Sequence, residues 1–77
     1  MKQNILIVDD EVSIQESLSG ILRDEGYEIS VAPDGNTALK IVEEYPPDLI
    51  FLDIVMPGMD GVETLQKIKE KHPDIYI

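Results

Sequence analysis

The chain has no cysteine among its 77 residues, so neither a disulfide framework nor a thiolate zinc site can compensate for its small size. The same absence leaves the redox compartment open. No stretch approaches the ~20 apolar residues of a membrane span. The start, Met1-Lys2-Gln3-Asn4 followed by only four apolar residues, is too short for a signal peptide, and the expected location is cytoplasmic. Cations are scarce, with six Lys and Arg against sixteen Asp and Glu and a formal charge of -10. That charge repels nucleic-acid phosphates and anionic lipid, so no nucleic acid and no membrane is expected as a partner of this segment. Neither a G-x-G-x-x-G nor a P-loop is present, and Gly26, Gly35, Gly58 and Gly61 are spaced as turn and cap residues. There is no internal repeat, low-complexity segment or flexible Gly/Ser linker.

What is present suits a packed core: 43% of the residues are apolar and 29% charged. The length permits one small domain, burying roughly 60% of the unfolded chain's surface. Ile5-Leu6-Ile7-Val8 is an unbroken aliphatic run, the pattern of a parallel strand covered on both faces. From Glu11 to Glu25 the positions Ile14, Leu18, Ile21 and Leu22 form one stripe of a helix that Gly26 ends. Tyr27, Ile29 and Val31 alternate with Glu28 and Ser30, which predicts an edge strand with one wetter face.

Asp34 is placed to cap a second helix with an inward stripe of Ala38, Ile41, Val42 and Tyr45, ended by Pro46-Pro47. Leu49-Ile50-Phe51-Leu52 repeats the continuous apolar pattern of a central strand, and a loop follows at Met56-Pro57-Gly58-Met59. Asp60 and Glu63 make an Asp-x-x-Glu variant of the capping box before a third helix, with Val62, Leu65 and Ile68 inward and Pro73 as the stop. Lys67, Lys69 and Lys71 fill its last turns, where cations favour the negative end of the dipole. His72 reads as a water-exposed C-terminal cap. Ile75-Tyr76-Ile77 begins a fourth strand. The resulting β-α-β-α-β-α-β order predicts a three-layer α/β fold with a parallel sheet.

In open α/β sheets ligands bind at the carboxyl ends of the strands, beside the point where strand order reverses. Asp9-Asp10 follow the first strand and Asp53 ends the third, so adjacent central strands would gather three carboxylates. Alone, Asp9-Asp10 is more often a helix-capping pair, since acids at a helix start satisfy free N–H groups. Together the three repel, and a divalent cation resolves that repulsion. Oxygen donors with room for water and a phosphate suit Mg2+. A carboxylate can attack phosphorus to form an acyl phosphate, and Asp53, at a strand end with a tight loop behind it, is the best placed of the three.

Two motifs make this specific. Ile5-Leu6-Ile7-Val8-Asp9-Asp10-Glu11, followed by Asp48-Leu49-Ile50-Phe51-Leu52-Asp53-Ile54-Val55-Met56-Pro57-Gly58-Met59-Asp60-Gly61, resembles the response-regulator receiver family, CheY-like proteins of flavodoxin-like fold. The resemblance covers essentially the whole chain and implies strand order 2-1-3 continuing toward 4. It implies that Asp53 is the phosphoacceptor, Asp10 a direct Mg2+ ligand, the Val55 backbone carbonyl another, and Asp9 a supporting acid acting through water. It also implies a sensor histidine kinase as phosphodonor, and a signalling domain in two-component phosphorelay rather than an enzyme. The run Glu16-Ser17-Leu18-Ser19-Gly20-Ile21-Leu22 is similar to receivers of nitrogen-regulation-type activators.

Receivers further carry a Ser or Thr ending the fourth strand and a Lys ending the fifth, both contacting the phosphoryl group. Neither position exists here. Residues 1–77 are therefore expected to be a truncated receiver that lacks the last strand and last two helices, does not switch, takes little stable phosphate and forms a homo-oligomer through the uncovered apolar surface. Two other readings compete. One is a structural folding fragment of a flavodoxin-like fold. The other is an aspartyl phosphatase, which needs an Asp two residues after its nucleophile, where Asp9 is followed by Glu11.

Overall fold

The computed structural model describes residues 3–53 and 61–77. Along them the order is β1 (Asn4–Val8), α1 (Val12–Asp24), β2 (Glu28–Ala32), α2 (Gly35–Glu44), β3 (Leu49–Leu52) and α3 (Gly61–Lys71). The strands form one parallel sheet in the order β2-β1-β3, as expected. Parallel neighbours require crossovers, which α1 and α2 provide. The path steps from β1 to β2, then passes back over β1 to β3, which sends the two crossover helices to opposite faces of the sheet. Tyr76 bridges Leu49 in parallel, so the chain returns beside β3 as the start of a fourth strand would, although only as a single bridge.

Strand alternation sorts the side chains between two layers. Leu6 and Val8 of β1 and Ile50 of β3 meet Ala38 and Val42 of α2 and Ile68 of α3, with Ala32 and Ile75 completing this core. Ile5 and Ile7 point to the α1 layer and are also buried. Phe51, paired with Ile7, points to that same layer but is 42% exposed. β3 is thus covered on one face where the apolar run predicted two, because α1 packs over β1 and β2.

Helix ends follow local chemistry. Gly26, at φ +96, closes α1 in a Schellman arrangement: its N–H donates to the Arg23 carbonyl and that of Tyr27 to the Leu22 carbonyl. The Asp34 side chain caps α2 by accepting from the Thr37 N–H at 2.7 Å. Lys69 Nζ donates to the Ile75 carbonyl at 2.9 Å, tying the chain after α3 to the helix.

Each helix was placed correctly by its periodicity, yet the buried face is rotated or narrowed. In α1 the inward stripe is Gln15, Leu18, Ser19 and Leu22, whereas Ile14 and Ile21 are exposed. A helix laid on one sheet face buries a narrow arc, and the expected stripe was wider than that arc. Tyr45 leaves the α2 stripe and is exposed, since Pro46 pushes its backbone to φ -145, ψ 76, outside the helical region. In α3 Gly61, Thr64 and Ile68 are buried and Val62 is exposed. His72 is half-buried rather than a solvated cap: its Nε2 lies 3.7 Å from Glu43 Oε1, beyond hydrogen-bond reach. The expected loop at Met56-Pro57-Gly58-Met59 and the Asp60 half of the capping box lie outside the described residues.

Candidate functional site

Register and parity bring Asp9 and Asp53 together. Val8 pairs with Leu52, and the Asp53 N–H donates to the Val8 carbonyl at 2.9 Å, extending the ladder one residue past β3. Asp9 continues the Ile5-Ile7 face of β1, and Asp53 continues the Leu49-Phe51 face of β3. Both acids therefore stand on one side of the sheet, at the carboxyl ends of its two adjacent strands. Asp10 follows in the β1–α1 connection, exposed, while Asp9 and Asp53 are half-buried.

The three side chains each offer one oxygen, and these oxygens all lie within 4.8 Å of one another. Among the described residues this is the one group of three or more potential ligand side chains so placed. Two oxygens on a single Mg2+ at 2.0–2.1 Å are separated by at most roughly 4.2 Å. Small side-chain rotations would close the cluster on an ion, and an all-oxygen donor set is the one a hard divalent cation prefers. The residues present fit such an ion. Val55, whose carbonyl the family resemblance adds to the ligand set, lies outside the described residues.

Two interactions hold the β1 end in place. The Glu11 N–H donates to Asp9 Oδ1 at 2.9 Å. The Gln15 side-chain amide donates to the Asp9 carbonyl at 2.5 Å. Gln15 was not singled out by sequence reasoning; its position one turn beyond Glu11, on the inward stripe of α1, is the feature that could have found it. The helix-capping reading of Asp9-Asp10 holds only in part: the N-cap of α1 is Glu11, which makes no side-chain cap bond, while Asp9 accepts the N–H of Glu11.

Beside the carboxylates lies a small cleft of about 210 Å³ walled by Ile7, Leu18 and Phe51, with Asp9 and Asp53 at one end. A larger cleft of about 570 Å³, lined by Arg23, Tyr27, Glu28 and Tyr45, opens at the opposite, amino-terminal end of the strands. The carboxylate end is the candidate site because three acidic side-chain oxygens converge there, whatever the relative size of the clefts. Among the described residues no helix is long and apolar enough to cross a membrane.

Comparison with known proteins agrees with this geometry. Residues 5–77 match the family described as the response regulator receiver domain. The DNA-binding response regulator MtrA of Mycobacterium tuberculosis is 44% identical over 69 residues, which is 90% of this chain and 30% of that protein. Among solved structures, TrrA of Thermotoga maritima, in complex with Mg(2+)-BeF, is 47% identical with a TM-score of 0.91, over 97% of this chain and 64% of that one. NtrX of Brucella abortus is 45% identical with a TM-score of 0.89, over 95% of this chain and 17% of that one. The chain thus spans under a third of MtrA.

Proposed function

The chain belongs to the response regulator receiver domain family, and on that premise we propose that Asp53 accepts a phosphoryl group from the phosphohistidine of a sensor kinase, with Mg2+ held by Asp10, Asp53 and the Val55 carbonyl and, through water, by Asp9. The observation that carries this reading is the convergence of the Asp9, Asp10 and Asp53 oxygens within 4.8 Å at the carboxyl ends of β1 and β3.

The proposed steps use the residues where they stand. A carboxylate oxygen of Asp53 attacks phosphorus in line. The P–N bond to the donor imidazole breaks, its electron pair stays on nitrogen, and that nitrogen takes up a proton while an acyl phosphate is left on Asp53. The backbone bond from Asp53 to Val8 fixes the nucleophile relative to β1. The Glu11 and Gln15 bonds hold Asp9 beside it. When bound, Mg2+ offsets the charge of three carboxylates and the incoming phosphoryl oxygens. On this reading the domain is a stoichiometric acceptor in a two-component relay and no enzyme. The family also places a Ser or Thr and a Lys on the phosphoryl group, from its fourth and fifth strands. The reading extends to self-association: Ile14, Ile21 and Phe51 are 40%, 62% and 42% exposed, and a second copy would cover them.

Intact-mass measurement tests the transfer. A receiver carrying this segment together with a fourth and fifth strand should gain one phosphoryl group from a small phosphodonor in Mg2+, and its Asp53→Asn variant none. Labelling that persists in Asp53→Asn would overturn the assignment. The 77-residue segment alone should take little stable label.

A further inference from the structure

We propose that the groove between α2 and α3 docks an acidic, amphipathic helical segment of a partner protein. The groove encloses about 450 Å³ and is lined by Leu39, Lys40 and Glu43 from α2 and by Lys67, Glu70 and Lys71 from α3. It therefore holds three of the chain's six cations but only two of its sixteen acids, an inversion of the charge balance elsewhere. One of those acids is already engaged, because Lys71 Nζ lies 3.3 Å from Glu43 Oε1. Lys40 and Lys67, facing the groove from opposite walls, form no ion pair with any described residue.

Leu39, partly buried against the main core, and the aliphatic stems of the lysines give the lining a mostly carbon surface. Apolar floor and cationic rims together fit a helix with an acidic flank on each side of an apolar seam, the helix-in-groove mode of recognition. At 10 and 11 residues, α2 and α3 are each about 15 Å long, room for about ten residues of a third helix. The net charge of -10 disfavours polyanions such as nucleic acid or lipid surfaces, whose charge extends well beyond the groove. A short acidic helix presents its charge to the lysines alone. This surface lies on the α2/α3 face of the sheet, separate from the carboxylate cluster.

The probe is a synthetic, fluorescein-labelled helical peptide with leucines at i, i+3 and i+7 and glutamates on both flanks, titrated with the protein and read by anisotropy at low ionic strength. The expected result is saturable binding that weakens at least about fivefold in Lys67→Glu and in Lys40→Glu. Binding should also weaken as salt rises from about 0.05 to about 0.5 M. Arg23→Glu, the same charge change on α1 across the sheet, should leave it unchanged, and matching melting curves should show all three variants folded. Lys67→Gln should give an intermediate loss. The proposal is overturned by no saturable binding, or by equal losses in Arg23→Glu and Lys67→Glu. It is equally overturned if an RNA oligonucleotide or anionic vesicle binds more tightly than the peptide, or if the groove lysines instead mediate association of the chain with itself.

Discussion

Asp34 shows how much one side chain can set. Its carboxylate accepts the Thr37 N–H, and that bond, with smaller help from the Thr37 hydroxyl and the charge of Lys40, holds its pKa below the ordinary aspartate value. A folded-state pKa lowered in this way stabilises the fold fully above the unfolded value, near ~3.9, and the contribution is lost as pH falls through the folded value. Asp34→Asn keeps a capping oxygen but cannot titrate. It should therefore melt close to the wild type at acid pH and below it at neutral pH, and a constant gap between the two across an acid pH series would contradict this. Gly26 is a second such residue: at φ +96 with open space where a Cβ would stand, Gly26→Ala meets backbone strain alone. We expect a loss of roughly 1–2 kcal/mol in urea unfolding. Both residues were legible in the sequence, since capping and left-handed termination depend on residue type and immediate neighbours. Gln15 was not, because its role depends on where α1 lands relative to the Asp9 carbonyl.

The same division holds for whole elements. Among the described residues, strand runs and helix periodicities located the three strands and three helices, because backbone pairing and amphipathicity are written locally. Which arc of a helix is buried depends on what else packs there, and that is where the reading erred. In α3 the inward positions include Gly61 and Thr64, a small residue and a polar one that hydropathy does not flag, while Val62 stays in solvent. Substitution separates the two faces: Ile68→Ala should cost about 2–5 kcal/mol through lost burial and a cavity, and Val62→Ala should stay within about 0.5 kcal/mol. Equal losses in denaturant unfolding would mean that α3 is rotated from the orientation described here. Phe51 carries the same lesson for a strand, since a continuous apolar run revealed burial of β3 without revealing that only one face is covered.

At the scale of the whole molecule, strand order and side-chain parity act together. Because β1 lies between β2 and β3, the ends of β1 and β3 are neighbours, and because side chains alternate, Asp9 and Asp53 share a face. The position of each acid after an apolar run was legible in the sequence and the strand order came with the family resemblance, whereas the shared face follows from the register of β1 and β3. The uncovered side of α1 and β3 has a separate consequence. Sedimentation at micromolar concentration should reveal self-association that Ile21→Ser with Phe51→Ser diminishes, whereas a wild-type monomer at all concentrations would count against it.

If Asp9, Asp10 and Asp53 hold Mg2+ as proposed, the ion should stabilise the fold by about 2.7 kcal/mol at a hundred times its dissociation constant. The most direct test is a Mg2+ titration of the 77-residue chain followed by amide NMR shifts. The account predicts one saturable site, with the largest shifts around Asp9, Asp10 and Asp53 and with affinity lowered at least about tenfold in Asp10→Asn. Shifts that fail to saturate, or an affinity that Asp10→Asn leaves unchanged, would contradict it.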